Sequence, residues 1–298
     1  MHSPYRNRPR PLELPSGIVY FHDWRYVQHG RVGWRAADGS KCPLWTTAEL
    51  PSLRYEPTFL PVGVQLRAQP AHKCGPVLTS DQVDEHFLSN PTVLEDQGRY
   101  RLWFDCTPVE HIDQEGIKPG DFNYLRYAES DDGESWTFPA LGLVERHGRN
   151  DNNVVYGGPE TTPGTGYHGG SVFKDPSAPP ESRYKMIHQG HLTEAMQAEY
   201  RRARPDAVDA LNETRSPWLG LFGATAPDGL HWSALPEPLV AQVSDTHNVC
   251  EYDPVLEKYV AYCRNWFFRH RTVGRIIADE FRCRGYLLRS TAPYMLGS

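Results

Sequence analysis

Four acidic residues stand where acid–base chemistry could be done. One protonated carboxyl group and one ionised carboxylate can together act as general acid and general base. Asp245, in "SDTHN", precedes a predicted strand, and Asp105 ends the apolar strand "YRLWFD", where burying a carboxylate is costly. Asp151 lies in "RNDNNVV", and Glu160 lies in the glycine-rich "GGPETTPGTGYHGG". Simpler roles stay open. Asp245 and Asp151 can cap turns, and Asp105 and Glu160 can lie at the surface.

A second set of polar residues is expected at the same place and could bind a ligand. The set comprises Asn90, His168, His247, Asn248 and Arg264. The two histidines fall at nearly equivalent repeat positions, where each can bind a sugar hydroxyl, join a cation or simply satisfy a strand end. The arginine can pair with a carboxylate or lie at the surface. Because the chain has no HExxH motif, we predict no metal ligands.

The elements that must position these residues repeat along the chain. "AESDDGESWTFP" and "ATAPDGLHWSALP" share the pattern Ala-x-x-x-Asp-Gly-x-x-Trp. This pattern predicts a hairpin in which Asp132 or Asp228 caps the turn and the glycine has positive φ. Trp136 and Trp232 are expected to anchor the hairpins rather than to bind sugar.

The strands before each hairpin also repeat. An extended segment ends in an acidic turn, and an alternating strand then opens on Tyr100, Tyr184 or Tyr259. A further strand follows in "NYLRYAES", "WLGLFGAT" and "YLLRST". Each unit is therefore predicted to be an antiparallel meander, and repeated meanders build a β-propeller. One helix is predicted within "HLTEAMQAEYRRARPDAVDALNE", capped by Thr193 and inserted between two strands of the second unit.

The last residues repeat only part of the hairpin motif. "STAPYMLGS" matches Thr225–Pro227 and then lacks the Asp-Gly-x-x-Trp that should follow. Three units are fewer than the four to eight blades of most propellers. We therefore expect the chain to be a fragment or a frame-shifted product; alternatively, N-terminal strands close the ring.

Several of these segments together resemble the five-bladed β-propeller glycosidases, the broad group of glycoside hydrolase families 32, 43 and 62. The resemblance covers roughly residues 80 to 293 and is carried by "YRLWFD", "LRYAESDDGESWTFPALGLVE", "RNDNNVV", "HGGSVFKDPSAPPESRYKMI" and "SDTHNVCEYDPVLEKYVAYCR". It implies an acidic residue from each of the first blades in a central pocket. Where an aspartate is expected in the first blade, this chain has Asn90 in "SNP".

The resemblance implies hydrolysis of a glycosidic bond in a plant or microbial glycan. Asp245 and one of Asp151, Asp105 or Glu160 would be the working carboxyl pair. A non-catalytic carbohydrate-binding propeller is the alternative, and an inactive truncated fragment is a further one. The departure at Asn90 favours these alternatives.

Composition narrows the class of partner and the compartment. A formal net charge of -6 argues against nucleic-acid and anionic-membrane binding, which need a basic face. The six scattered cysteines form no CxxC pair, and the start has no apolar signal region. We expect a cytoplasmic protein as given, or a secreted or periplasmic one if the true start is missing. The expected partner is an oligo- or polysaccharide. No cofactor is predicted, and an axial calcium ion is unsupported. The sequence carries no signal of oligomeric state.

The predicted fold is all-β, a propeller of the five-bladed type with about three recognisable blades. We predict an N-terminal β extension over residues 1–80 and a partial propeller over 81–298, with units at about 86–139, 168–236 and 245–298.

Overall fold

A computed structural model describes the chain in several ranges. These are residues 34–43, 62, 73–82, 87–107, 123–146, 148–158, 161–162, 165–203, 218–241, 243–245, 247–267 and 270–282. Among them, no helix is long and apolar enough to cross a membrane. Predictions on Glu160, on most of the N-terminal extension and on residues 283–298 lie outside these ranges.

The chain forms two compact units. One is Met1–Lys73 with Leu296–Ser298, and the other is Cys74–Met295. In the first unit, Arg35 and Lys41 form an isolated antiparallel bridge. Every strand and helix named below belongs to the second unit.

The first sheet is a four-stranded antiparallel meander. Its strands are β1 (Phe87–Asp96), β2 (Arg99–Thr107), β3 (Tyr124–Ser130) and β4 (Val154–Gly157), in that spatial order. Its last strand thus lies beyond residue 139. The run "LWFDC" in β2 is buried on both sides of the sheet, which explains why it is almost continuously apolar.

The second sheet repeats this arrangement. It consists of β5 (His168–Lys174), β6 (Tyr184–Leu192), β7 (Trp218–Ala226) and β8 (Ser233–Ala234). The predicted helix is present as α1 (Glu194–Ala203), between β6 and β7. The Thr193 hydroxyl accepts a hydrogen bond from the Met196 backbone, and Met196 and Tyr200 pack against a buried cluster that includes Trp218. The predicted cap and the position of the insertion are confirmed.

The third sheet contains β9 (Val249–Asp253), β10 (Lys258–Phe267) and β11 (His270–Ala278). Its spatial order is β11-β10-β9. The strand that follows β10 in the sheet is therefore β11, and not the predicted "YLLRST", which lies outside the described residues. The long hairpin of β10 and β11 was not anticipated, because "WFFRHRTVGR" carries no Gly or Asn turn signal at its bend.

The three sheets pack face to face in chain order. One cluster joins Trp103 and Leu125 of the first sheet to Val172 and Met186 of the second. Another joins the second sheet to Cys250, Ala261 and Ile276 of the third. Neighbouring residues of β6 thus face opposite partners, as the period of two in a strand requires. The all-β prediction is confirmed, and the sheets have the stacked-meander form of propeller blades; the blade count stays a prediction.

Both predicted Asp-Gly hairpins are present. Asp132 Oδ1 accepts hydrogen bonds from the backbone of Glu134 and Ser135, at 2.8 and 2.7 Å. Asp228 Oδ1 accepts two equivalent bonds, each of 2.9 Å, from residues 230 and 231. Gly133 and Gly229 have φ of 78° and 75°, which a residue with a Cβ rarely adopts. Backbone donors lower the pKa of Asp132, as expected for a carboxylate that caps a turn.

Candidate functional site

The first strands of the three sheets meet one another. β5 contacts both β1 and β9, and the backbone N–H of Val172 donates to the Thr92 hydroxyl of β1 at 3.3 Å. Pairing is irregular at the start of both β1 and β5, between Ser89 and Thr92 and between His168 and Ser171. Such bulges redirect side chains at strand ends. Polar residues from three sheets are thereby brought together.

Asp105 is the buried centre of this site. Its side chain is on β2, and the residue is 1% exposed. Oδ2 accepts hydrogen bonds from Asn90 Nδ2 at 3.0 Å and from the Gly169 backbone at 2.6 Å. Oδ1 accepts from the Tyr167 hydroxyl at 2.5 Å. The carboxyl group therefore joins the first sheet to the start of β5.

Local backbone geometry makes this contact possible. Asn90 and Gly169 occupy equivalent bulge positions and have φ of 50° and 69°. Asparagine tolerates this left-handed conformation better than most residues. A Cβ at Gly170 would lie 2.1 Å from the Tyr167 hydroxyl, so only glycine fits there. The Gly170 backbone in turn donates to that hydroxyl at 3.1 Å.

The charge of Asp105 is set by opposing effects. Burial raises its pKa, and hydrogen bonds from Tyr167, Asn90 and Gly169 act in the opposite direction, as does the nearby charge of His168. Burial and the same carboxylate raise the pKa of Tyr167 well above its usual range. The phenol therefore stays protonated and donates to the carboxyl group.

His168 connects the buried and exposed parts of the site. Its Nδ1 lies 2.8 Å from Asn123 Nδ2, and its Nε2 lies 3.5 Å from Asp245 Oδ1. The hydrogen bond to Asp245 raises the pKa of His168 despite burial, and the charge of Asp105 adds to that increase. The imidazole thus lies between two carboxyl groups that both favour its charged form.

Asp245 is the carboxylate that faces solvent. Its side chain is 55% exposed, and its Oδ2 lies 3.3 Å from Arg264 Nη1. One oxygen therefore faces an imidazole and the other a guanidinium. Of the two positions that the sequence left open for Arg264, this contact is the pairing with a carboxylate; its predicted role in substrate binding stays a prediction.

Asn248 and His247 lie beside this group, and their predicted role in substrate binding stays a prediction. Asn248 is fully buried and bonds Ser244 and the Arg264 backbone, so it fixes the segment that carries Asp245. His247 lies close enough to Asp105 and Gly170 for both to oppose the lowering of its pKa by burial. Among the residues that the structure describes, its buried Nε2 has no hydrogen-bond partner.

Two other acidic candidates do not join this group in the described structure. Asp151 is exposed and pairs with Arg149, with 2.6 Å between Oδ2 and Nη2. Glu160 lies outside the described residues. Their predicted catalytic roles stay predictions. Sequence reasoning missed Tyr167 and Asn123, although Tyr167 directly precedes His168 and so lies at the same strand start.

No metal centre is found at this site in the part of the chain that the structure describes. No three His, Cys, Asp or Glu side chains there form a group that could hold a metal ion. A cavity of about 560 Å³ lies beside the first Asp-Gly hairpin, and its lining includes Val77, Glu134 and Trp136 but none of the site residues above.

Comparisons with known proteins show distant likenesses only. No protein-family model matches the chain, and no curated protein matches it at a significant level. An N-acetylgalactosamine deacetylase from F. plautii, solved with blood group B trisaccharide, is 10% identical with a TM-score of 0.40 over 65% of this chain and 50% of its own. A sucrose-6-phosphate hydrolase from Lactobacillus gasseri is 10% identical with a TM-score of 0.36 over 63% and 34%. A β-fructofuranosidase from Microbacterium saccharophilum is 15% identical with a TM-score of 0.35 over 65% and 40%.

These likenesses do not define an activity for this chain. The chain spans half or less of the length of each of the three proteins. The chemistry must therefore be argued from the side chains themselves. An exposed carboxylate between an imidazole and a guanidinium can act as a base or nucleophile, and a buried carboxyl group can support it.

Proposed function

We propose that this protein is a glycoside hydrolase-like enzyme that acts on an oligo- or polysaccharide where the first strands of its sheets meet. The observation that carries the proposal is the convergence of Asp105 and His168, from two different sheets, with Asp245, which precedes the first strand of the third. Enzymes of this class use two carboxyl groups in different environments. Here one is buried and the other exposed.

Asp245 is assigned the role of base or nucleophile. Arg264 stabilises its negative charge, and His168 Nε2 faces its other carboxylate oxygen. Asp105 is assigned a supporting role, because its 1% exposure and three hydrogen bonds prevent direct attack on a substrate. Glu160, in the glycine-rich segment that precedes β5, remains the candidate proton donor.

A carbohydrate-binding protein without catalysis is the alternative. The burial of Asp105 favours this alternative. A hydrolase needs two carboxyl groups that reach the substrate, and among the described residues of the site Asp245 is the exposed carboxylate. Asn90, His168 and Arg264 could then serve as hydrogen-bonding groups for sugar hydroxyls.

The test measures reducing-sugar release from arabinan, fructan, xylan and galactan oligosaccharides. We expect Asp245→Asn to lower kcat/KM by about a hundredfold or more, because positioned acid–base groups contribute at least that much. Asp131→Asn is the matched control, since Asp131 also pairs with an arginine but is 82% exposed in a hairpin. Binding of one oligosaccharide without cleavage by the unmodified protein would replace the enzyme proposal with the binding alternative.

A further inference from the structure

The His168 imidazole has a partner on each ring nitrogen, and the two partners differ in kind. On the inner side, Nδ1 meets the Asn123 amide at 2.8 Å. Asn123 is 4% exposed, and its Oδ1 accepts a hydrogen bond of 2.9 Å from the Thr107 hydroxyl. On the outer side, Nε2 faces the exposed carboxylate of Asp245 at 3.5 Å. A buried amide and a partly buried hydroxyl thus lie behind the ring, and a solvent-facing acid lies in front of it.

The positions of the protons follow from the inner partner. With Asn123 Nδ2 as donor, His168 Nδ1 must be unprotonated and Nε2 carries the ring hydrogen. Rotation of the amide by 180° exchanges its oxygen and nitrogen. Asn123 Oδ1 then accepts from Nδ1–H, and the Thr107 hydroxyl, which both donates and accepts, receives the amide N–H.

This arrangement does not favour one state of the ring. A backbone carbonyl or a carboxylate at Nδ1 would hold a proton there permanently. The Asn123–Thr107 pair instead satisfies the ring in either neutral form and in the doubly protonated form. No buried polar atom loses its partner when the proton moves, so the cost of an unsatisfied buried group is avoided.

The charges around the ring favour uptake of a proton. Asp245 faces Nε2, and the charge of Asp105 acts through the start of β5, where its carboxyl group holds the Gly169 backbone. Arg264 opposes them from the far side of Asp245. The Asp245 carboxylate at Nε2, supported by the Asp105 carboxyl group, leaves the imidazole a better proton acceptor than a free histidine.

We propose that His168 is the proton partner of Asp245, and that Asn123 and Thr107, once turned so that Asn123 Oδ1 accepts from Nδ1–H, leave Nε2 free to take the proton. The proposal rests on the proposed function, with Asp245 acting as base. As the water oxygen bonds to the anomeric carbon, Asp245 takes one water proton and passes it to Nε2. The glycosidic C–O bond breaks, and the leaving oxygen takes a proton from the general acid. After release of product, the imidazolium returns its proton to solvent and solvent reprotonates the acid. His168 is thus a positioning residue that acts through Asp245.

The first experiment follows the His168 ring by NMR titration and needs no substrate. We expect Asp245→Asn to lower the midpoint of the His168 titration by about one pH unit or more, because an opposite charge at this range contributes about 1–3 units. We expect Asn123→Asp to raise the midpoint by a similar amount, since a carboxylate holds Nδ1–H permanently. His231 pairs with Asp228 at 2.7 Å on an exposed hairpin and serves as the internal control that neither variant should move.

The second experiment records kcat/KM against pH. With His168 present, activity should fall below the pH at which the ring becomes doubly protonated and can take no further proton. His168→Asn should lower activity and move this acid limb down by about one pH unit or more, toward the range of a lone carboxylate. His231→Asn should leave the profile unchanged.

The two experiments separate failure of the inference from failure of the proposed function. If the titration midpoint of His168 is unchanged in both Asp245→Asn and Asn123→Asp, the inference is overturned even if a glycan is cleaved. An acid limb that stays in place in His168→Asn does the same. If the titrations of His168 and Asp245 are coupled but no glycan is cleaved, the proton partnership is supported and the proposed hydrolase activity is excluded.

Discussion

His188 shows how strongly burial controls a single side chain near the candidate site. Its ring lies 5.2 Å from the ring of Tyr167, whose hydroxyl holds Asp105. Nδ1 lies 3.0 Å from the Gln189 carbonyl, and Nε2 lies 3.3 Å from the Tyr156 hydroxyl. A neutral imidazole satisfies both contacts, since it donates from Nδ1 and accepts at Nε2. Burial lowers its pKa to about 4.

A pH dependence of stability follows from this residue. The pKa of His188 is about 4 when folded and near 6.5 when unfolded, so the unfolded chain holds more protons between these values. The stabilisation is complete above pH 6.5 and is lost as pH falls toward 4, by up to about 3 kcal/mol. We expect His188→Phe, which places there the residue type of Phe104 in β2, to flatten this part of the curve. Urea unfolding at several pH values measures it; equal slopes in both proteins would contradict the assignment.

At the scale of elements, the repeated tyrosines join neighbouring sheets. The Tyr184 hydroxyl donates to Asp96 at the end of β1, and the Tyr259 hydroxyl donates to Asp175 after β5 at 2.5 Å. A cation lies over each ring, with Arg101 at 5.1 Å from the Tyr184 centroid and Lys185 at 5.6 Å from that of Tyr259. Each sheet is thus joined to the preceding one by the same set of residue types.

These contacts between sheets predict different losses of stability for three Tyr→Phe variants. Tyr259→Phe removes a donor from Asp175, which is 1% exposed, so we expect a loss of about 1–3 kcal/mol in the free energy of unfolding. Tyr184→Phe should behave alike. Tyr100 opens β2 at the equivalent place, and in the described part of the chain its hydroxyl contacts no carboxylate. Tyr100→Phe should therefore cost less, and urea melts of the three variants test the order. Equal losses in all three would show that the effect comes from the hydroxyl itself and not from the joint.

The elements also show why sequence reasoning reached the sheets and only part of the site. The hairpins and the helix cap were predictable because Asp132 and Thr193 act on backbone groups two or three residues away. Asp105 and Asp151 look equally plausible in sequence. They differ only because the tertiary fold brings Asp105 to Gly169, 64 residues later, and leaves Asp151 in a turn. Likewise, nothing near Asn123 in the sequence points to His168.

At the scale of the whole second unit, the three sheets form one stack. Apolar clusters lie on both sides of the central sheet, and the tyrosine joints span the same two interfaces. The candidate site draws on all three sheets. Its geometry therefore depends on the stack staying closed, and opening of the third sheet alone would remove Asp245 and Arg264 from His168.

Buried thiols in the first and third sheets can show whether the three sheets unfold together. Cys106 in the first sheet and Cys263 in the third are 0% and 4% exposed, whereas Cys74 is exposed. Pulsed alkylation over a urea series should label Cys74 throughout. It should label Cys106 and Cys263 at one shared midpoint, because coincident transitions are the mark of cooperative unfolding. If Cys263 reacts at lower urea than Cys106, the third sheet is a separate unit of lower stability. Activity should then be lost at the midpoint of Cys263, since the site needs Asp245 and Arg264 in place.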